Sequence, residues 1–290
     1  MCSAIEHHAV LDPVRQRGGR TVGVRPDGIV DLDDLAAASS PGVALVSVML
    51  ANNEVGTIQP LEAIASLVRA GAPDALVHTD AVQAVPWLDV SRLTEPADLV
   101  SLSAHKVGGP KGVGALVVRR RAAGRLAARQ IGGGQERERR SGTQNVAGIV
   151  GLGVALQQTI DERAATVERV TKLRDRLADG LLASVPDVVE TGGSSRADRI
   201  GGICHLCFDG VESEALLFLL EDDGVYASAG SSCASGAMEP SHVLTAMGVP
   251  RSLAFGSVRF SLGHSSTDAD VDLALEAVPD AVARLREFSR

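Results

Sequence analysis

The stretch Ala97-Asp-Leu-Val-Ser-Leu-Ser-Ala-His-Lys-Val-Gly-Gly-Pro-Lys-Gly-Val-Gly114 decides how the chain folds. Its apolar start predicts a buried strand, and the glycines after Lys106 prevent a helix from following. Residues 112–118 predict the next strand. Active residues of α/β sheets lie at the carboxyl ends of strands, so Lys106 stands where a catalytic amine is expected. Partial removal from water would lower its pKa and make the amine nucleophilic; the alternative is a surface lysine on a glycine loop.

The sequence around this stretch alternates apolar runs with segments of helical spacing. Such alternation predicts an α/β fold with a mostly parallel sheet in a large domain. Further along, the pattern changes to that of a smaller α+β domain at the C-terminal end, after a long helix suited to link the two. We place the large domain at residues 1–160 and the small one at 161–290. The predicted strands are 43–50, 75–78, 97–103, 112–118, 202–208 and 253–262, and the predicted helices are 60–71, 146–182, 212–220 and 268–288, the last with Thr267 as N-cap.

The composition of the 290 residues excludes several classes of protein. With 45% hydrophobic residues the chain is too apolar for wholesale disorder, and its apolar stretches are far shorter than the roughly 20 residues of a membrane helix. The net charge of −8 and the 2% of aromatic residues argue against nucleic-acid binding. Four cysteines make no disulfide framework in so long a chain, and no export signal is visible. We therefore expect a cytoplasmic protein that contacts neither nucleic acid nor membrane.

Polar side chains follow two more of the predicted strands. His78-Thr-Asp-Ala-Val-Gln83 ends one strand and Leu50-Ala-Asn-Asn-Glu-Val-Gly56 ends another. The carboxyl ends of parallel strands meet at one edge of the sheet, so Asp80 and Lys106 could face the same crevice. A lysine Schiff base with a carboxylate on the pyridine nitrogen is the arrangement that binds pyridoxal 5'-phosphate.

Eight motifs, kept in order and spacing from end to end, carry a resemblance to a known family. The sequence resembles the pyridoxal phosphate-dependent cysteine desulfurases of the class-V aminotransferases, which supply sulfur for iron–sulfur clusters. The resemblance implies a fold-type I transferase. The motifs are Glu6-His-His-Ala-Val-Leu-Asp12, Asn52-Asn-Glu-Val-Gly56, His78-Thr-Asp-Ala-Val-Gln83, Ser103-Ala-His-Lys106 with Gly109-Pro-Lys-Gly112, Gly132-Gly-Gly-Gln-Glu136, Arg140-Ser-Gly-Thr-Gln144, Ser228-Ala-Gly-Ser-Ser-Cys233 and Val258-Arg-Phe-Ser-Leu-Gly263.

The resemblance implies roles for four residues around the cofactor ring. Lys106 would hold the cofactor as a Schiff base, and His7 would stack on the ring and take part in catalysis. Asp80 would pair with the pyridine nitrogen and Gln83 with the phenolic oxygen. The ring would then act as an electron sink.

Three further residues would bind the cofactor phosphate, according to the same resemblance. Ser103 and His105 would contact the phosphate within one chain. Thr143 would reach the phosphate of the cofactor in a second subunit, and this role implies a homodimer.

The substrate implied by the resemblance is L-cysteine. Asn53 and Arg259 would hold its carboxylate, for which a bidentate arginine is well suited; without the family, Arg259 could equally be a salt-bridged strand residue. Cys233 would attack the substrate sulfur as a thiolate, leaving L-alanine and an enzyme persulfide. Its neighbours in Ser228-Ala-Gly-Ser-Ser-Cys-Ala-Ser-Gly236 are nearly all small, which suits a sulfur carrier. The persulfide would pass to an iron–sulfur scaffold or a transfer-RNA thiolation enzyme.

A second pair of cysteines, in Cys204-His-Leu-Cys207, has the C-x-x-C spacing of zinc and redox sites. The sequence holds no second pair to complete a zinc site, and on a strand the two side chains point to opposite faces. We therefore expect no metal here and interpret both as structural cysteines.

Other functions stay open at this point. The chain could be another class-V enzyme, such as an aminotransferase or a selenocysteine lyase, although simple transamination needs no thiol like Cys233. It could also be an inactive remnant, because the resemblance leads us to expect that the family's N-terminal part is missing. That part carries a turn whose helix N-terminus binds the cofactor phosphate.

Overall fold

The larger of the two β-sheets has six strands. The computed structural model of the chain describes residues 1–230 and 239–288. The strand order is β2-β1-β3-β4-β5-β6, and all neighbours are parallel except β5 and β6. The mostly parallel sheet and the fold-type I architecture are thus confirmed. The strands are β1 Cys2–Ser3, β2 Thr21–Val22, β3 Leu45–Ser47, β4 Leu76–Asp80, β5 Leu99–Ser103 and β6 Gly114–Val118.

The helices between these strands pack apolar faces onto the sheet. The helix predicted at residues 60–71 is confirmed as Leu61–Gly71, and its buried Leu61, Ile64, Ala65 and Val68 recur at helical spacing. They join the buried strand residues in one apolar core. In chain order the helices are α1 His8–Gln16, α2 Leu32–Ala38, α3 Leu61–Gly71 and α4 Val90–Leu93.

The strand predicted at residues 43–50 is shorter than expected. Only Leu45–Ser47 forms β3, but the chain beyond it stays beside β4. The Val48 N–H donates to the His78 carbonyl, and the Leu50 N–H donates to the Asp80 carbonyl. The residues that follow β3 are therefore held at the same sheet edge as the end of β4.

A single 39-residue helix, α5 (Val146–Ser184), leaves the large sheet and supports the second one. Its first turns pack on the 3₁₀ turn Ala104–Val107 that follows β5. Its last turns bury Leu173, Leu177 and Leu181 in a second apolar core. The long helix predicted at 146–182 is thus confirmed. The domain boundary at residue 160 stays a prediction.

The second sheet is antiparallel, and the described residues around it form four further helices. Its order is β7-β8-β9. At the start of the terminal helix, Thr267 Oγ1 accepts from the Asp270 N–H while the Asp270 carboxylate accepts from the Thr267 N–H, which confirms the predicted N-cap. The elements are β7 Val188–Glu190, β8 Ile203–Phe208, α6 Ser213–Asp222, α7 His242–Ala246, α8 Arg251–Ala254, β9 Ser257–Ser261 and α9 Asp268–Phe288.

The strand predicted at residues 253–262 is wrong at its start. Residues 251–254 form the short helix α8, and β9 begins at Ser257. Pro250 fixes a backbone angle that suits the residue before a helix, and the Arg251 guanidinium lies 4.9 Å from the centre of the Phe255 ring. A helical turn that begins after Pro250 therefore takes the place of the first part of the predicted strand.

Strand β8 confirms the orientation predicted for its two cysteines. Both are buried, but Cys204 belongs to the core under α5 and α9, whereas Cys207 belongs to a separate cluster with Ile5 and Met49. The strand therefore sends the two thiols to opposite faces. Just before β8, Gly202 lies against the indole of Trp87, where an added Cβ would come 2.0 Å from the ring.

None of the helices within residues 1–230 and 239–288 combines the length and apolar character that crossing a membrane requires.

Candidate functional site

A cavity of about 400 Å³ opens where β4 and β5 end. Its volume lies within the range of roughly 300 to 1,000 Å³ that is usual for small-molecule and cofactor sites. Eight residues singled out from the sequence line it together. They are His7, Asn53, Asp80, Gln83, Ser103, His105, Lys106 and Arg259.

Two predicted site residues are not among those that line the cavity in the described part of the chain. Thr143 is exposed on the loop before α5 and does not line the cavity. Its predicted contact is with a second subunit, so that role stays a prediction. Cys233 lies outside the described residues.

Lys106 is presented by the 3₁₀ turn that directly follows β5. Gly108 ends the turn in a left-handed conformation (φ 76°) that glycine adopts without strain. The side chain is exposed to the cavity, yet desolvation by the surrounding protein and the charge of Arg259 lower its pKa, while Asp80 acts in the opposite direction. At neutral pH a larger fraction of this amine is therefore neutral and nucleophilic than of an ordinary exposed lysine.

Two polar side chains near Lys106 are hydrogen-bonded to each other. Ser103, the last residue of β5, places its Oγ 2.7 Å from Nδ1 of His105. Both side chains line the cavity. A hydroxyl and an imidazole held together in this way can bind an anionic oxygen.

The end of β4 supplies a carboxylate and an amide. Asp80 Oδ1 accepts the N–H of Val82 at 2.8 Å, which fixes the carboxylate as the chain leaves the strand. Gln83 lines the same cavity, and its Oε1 is buried without a partner among the described residues. Buried amide groups are normally hydrogen-bonded, so this one indicates a ligand or water that completes it.

His7 enters the cavity from the start of α1. Its Nδ1 accepts the N–H of Ala9 at 3.1 Å, and the residue thus serves as the N-cap of that helix. Because Nδ1 is an acceptor here, the ring hydrogen of the neutral imidazole sits on Nε2. The cap orients the ring and sets its tautomer.

Glu6, next to His7, is completely buried and ties α1 to the large sheet. Its Oε1 accepts from Ser3 Oγ and from the Met49 N–H, each at 2.7 Å. Burial raises the pKa of Glu6 to about 8, although the two hydrogen bonds act to lower it. The carboxyl is therefore mostly protonated at neutral pH. A neutral carboxyl therefore anchors the turn that carries His7.

We expect the stability contribution of Glu6 to fall as pH rises. The folded chain keeps this proton up to about pH 8, whereas the unfolded chain loses it near the ordinary value of 4.5. The contribution is therefore complete below pH 4.5 and is lost on the way to pH 8, by at most about 5 kcal/mol. Glu6→Gln should flatten this part of the curve in urea unfolding from pH 5 to 8.

The matched control for this experiment is Glu168→Gln, at an exposed glutamate that pairs with Lys172 on the surface of α5. It should leave the slope of the wild-type curve unchanged. If Glu6→Gln and wild type kept parallel pH curves, Glu6 would not hold the additional proton.

Arg259 reaches the cavity from β9, on the other sheet. Its Nη1 donates to the backbone carbonyl of Asn53 at 3.0 Å, and its Nε is buried without a partner among the described residues. This contact joins the small sheet to the loop after β3. The remaining donors of the guanidinium can bind a carboxylate in the cavity.

Three further cavity residues have roles that the sequence did not indicate. Glu54 is buried and accepts a hydrogen bond from Ser241 Oγ, which is 187 positions away. His8 and His242 pack their rings 4.7 Å apart, and His242 Nε2 lies 3.0 Å from the Glu6 carbonyl. Glu54 stands inside the motif Asn52-Asn-Glu-Val-Gly56, so its position was visible in the sequence, but its distant partner was not.

The cysteines of the described part of the chain are poor nucleophiles. Burial raises the thiol pKa to about 11 for Cys2 and to about 12 for both Cys204 and Cys207. The thiolate, not the thiol, attacks sulfur and metals. These three thiols are therefore structural.

Comparison with known proteins connects this site to one family. Residues 1–274 match the profile of the aminotransferase class-V family. A protein of Gluconacetobacter diazotrophicus named cysteine desulfurase is 45% identical over 99% of this chain and 72% of its own length. An IscS-like cysteine desulfurase of Mycobacterium tuberculosis is 45% identical over 97% of this chain and 72% of its own length.

Solved structures agree with this similarity. A NifS-like protein superposes with a TM-score of 0.87 at 34% identity and covers 98% of this chain and 74% of its own. A structure described as SspA in complex with cysteine superposes with a TM-score of 0.74 at 28% identity, over 92% of this chain and 74% of its own. Sequence similarity and structural similarity therefore relate this chain to the same group of proteins.

Proposed function

Because this chain belongs to the class-V aminotransferase family, and is similar to proteins named cysteine desulfurase, we propose that it removes sulfur from L-cysteine. In the proposed reaction the Cβ–S bond of the substrate breaks and a new S–S bond forms on Cys233. L-Cysteine and the enzyme thiol become L-alanine and an enzyme persulfide, so atoms and electrons balance without another reactant.

The observation that carries this proposal is the convergence of Lys106, Asp80, His7 and Arg259 on one cavity. Their chemistry fits pyridoxal 5'-phosphate: an amine to hold it, a carboxylate for the pyridine nitrogen and an imidazole for the ring face. The unpartnered Oε1 of Gln83 fits too, since rotating the amide would present its NH₂ to the phenolic oxygen. When bound, the cofactor supplies an electron sink for bond cleavage at the substrate Cα and Cβ.

Different residues of the chain would then bind the substrate and transfer its proton. Arg259 binds the substrate carboxylate through the guanidinium donors left free by its bond to the Asn53 carbonyl. Lys106 holds the cofactor and, with its lowered pKa, can take the α-proton of the substrate. His7 lines the cavity with its Nδ1 engaged by the Ala9 N–H, so the neutral ring offers Nε2–H as its donor. The hydrogen-bonded pair of Ser103 and His105 offers the phosphate the donor that their mutual bond does not use.

The state of the other thiols supports Cys233 as the sulfur acceptor. Cys2, Cys204 and Cys207 are buried and protonated at neutral pH. An acceptor must be both reachable and able to form a thiolate. The fourth cysteine of the sequence is Cys233, which lies outside the described residues, and its assignment as the acceptor comes from the family resemblance.

We further propose a homodimer that passes sulfur to an acceptor protein. Apolar side chains lie exposed on both sides of Thr143: Ile131 is 92% exposed, and Val146 and Val150 at the start of α5 are 65% and 59% exposed. A second copy of the chain would cover them and bring Thr143 to the partner subunit's cofactor. Sedimentation velocity, by giving the mass of one chain or of two, tests the dimer.

A cofactor-loaded preparation tests the function directly. We expect L-cysteine, with a thiol reductant present to release the persulfide sulfur, to give alanine and sulfide in equal amounts over many turnovers. The measurement is alanine by chromatography and sulfide by a colorimetric assay. L-Serine, which lacks the transferable sulfur, is the control substrate. Production of pyruvate and ammonia in place of alanine would contradict the proposal.

A further inference from the structure

Two stretches of backbone that flank Cys233 meet at one side chain. Gly230 and Ser241 lie on either side of residues 231–238, which include Cys233. Ser241 Oγ donates to Glu54 Oε2 at 2.5 Å. A Cβ added to Gly230 would lie 2.6 Å from the same oxygen, so the Gly230 backbone is in direct contact with the carboxylate. One carboxylate thus touches both flanks.

Glu54 is itself held firmly in the wall of the substrate cavity. Its N–H donates to Asn52 Oδ1 at 2.8 Å, and the Asn52 amide donates to the Ile5 carbonyl at 3.0 Å. Asn52 is fully buried and Glu54 is 4% exposed. The carboxylate therefore belongs to the rigid edge of the large sheet, whereas both of its contacts belong to the chain that carries Cys233.

The titratable side chains around Glu54 come from three other elements. Arg259 on β9 and His8 on α1 favour the ionised carboxylate, as does the Ser241 hydrogen bond. His205 on β8 is neutral, because burial lowers its pKa to about 3, and its Nε2 would lie 3.6 Å from a Cβ added to Gly230. Burial is the stronger effect and raises the pKa of Glu54 to about 7. Both ionised and neutral forms can accept the Ser241 hydrogen bond.

We propose that Glu54 is a positioning residue for sulfur transfer: it fixes Gly230 and Ser241, and through them the ends of the segment that delivers Cys233, against the substrate cavity. This inference rests on the proposed function. The inference goes beyond the proposed function because it assigns the placement of Cys233 to Glu54, a group that need not touch substrate or cofactor.

Two readouts separate delivery of Cys233 from chemistry at the cavity. The first is the single-turnover rate at which L-cysteine converts Cys233 to a persulfide, followed by mass spectrometry. The second is exchange of the α-proton of L-alanine in D₂O by the loaded enzyme, which needs Lys106 and the cofactor but no thiol. We expect Glu54→Ala to slow persulfide formation by about 10- to 100-fold, since displacement by an ångström costs that much, and to change exchange less than about threefold.

Conservative and matched variants make the result specific. Glu54→Gln keeps an acceptor for Ser241 and should retain persulfide formation within about threefold of wild type. Glu239→Ala removes a glutamate from the same flank that pairs with Arg251 on the surface, and it should change neither readout. Gly230→Ala leaves Glu54 intact but forces a methyl against its oxygen, so it should reproduce the selective loss even if Glu54→Ala fails to fold.

Three outcomes would overturn the inference. They are equal losses of persulfide formation and alanine exchange in Glu54→Ala, wild-type persulfide rates in Gly230→Ala, and a Glu54→Gln variant as slow as Glu54→Ala. Failure of the proposed function looks different: the wild-type chain itself would then form no persulfide from L-cysteine, whether or not it exchanges the alanine proton.

Discussion

Replacement of Lys106 by alanine is expected to lower alanine formation from L-cysteine by more than about 10³-fold. The same amine would hold the cofactor and move the α-proton, and loss of a general base alone costs about 10²- to 10⁴-fold. The visible absorbance that pyridoxal phosphate gains when it is bound through a lysine should disappear as well. Steady-state kinetics and an absorbance titration with the cofactor measure the two effects.

Lys111→Ala provides the control in the same glycine-rich loop. Lys111 is exposed and does not line the cavity, so its loss should leave activity within about twofold and the absorbance unchanged. A Lys106→Ala protein with more than a tenth of wild-type turnover would remove Lys106 from the catalytic role. Retained absorbance in that variant would point to a different lysine.

Replacement of Cys233 by serine is expected to abolish persulfide formation and to lower alanine formation from L-cysteine by at least about 100-fold. A hydroxyl is not ionised at neutral pH and cannot carry sulfane sulfur, so the substrate C–S bond has no acceptor. Exchange of the α-proton of L-alanine should continue at the wild-type rate. Mass spectrometry of the protein after one turnover, together with the exchange measurement, gives both results.

Cys207→Ala is the matched control for this variant. Its thiol is buried on β8 with a pKa of about 12, so removing it should cost some stability but leave persulfide formation unchanged. Wild-type turnover in Cys233→Ser would show that sulfur leaves the substrate by another path. The alternative of another class-V enzyme that cleaves the substrate bond without an enzyme thiol would then gain support.

The sequence allows those parts of the site that depend on local order to be predicted. Lys106 and Asp80 each stand at the end of an apolar run, and in a parallel sheet those ends share one edge. The sheet of the structure has that arrangement, with β4 beside β5. The 39-residue helix α5 follows equally from its long helical spacing.

Other parts depend on contacts between distant residues and could not be predicted from spacing. The Glu54–Ser241 hydrogen bond joins positions 187 apart, and the Arg259–Asn53 bond joins positions 206 apart. Their motifs were recognisable, but only the packing of the two sheets against each other brings them together. The error at residues 253–254 is of the opposite kind, because a local proline signal was outweighed by an apolar run.

The contact between Trp87 and Gly202 has an experimental consequence. Trp87 is the sole tryptophan of the sequence, and it lines a second cavity that shares Gln83 and Lys106 with the candidate site. Tryptophan emission therefore comes from one indole at the junction of the two sheets, near the lysine. Each change of the tryptophan emission can be assigned to that junction, so the chain carries its own optical reporter of ligand binding without an attached dye.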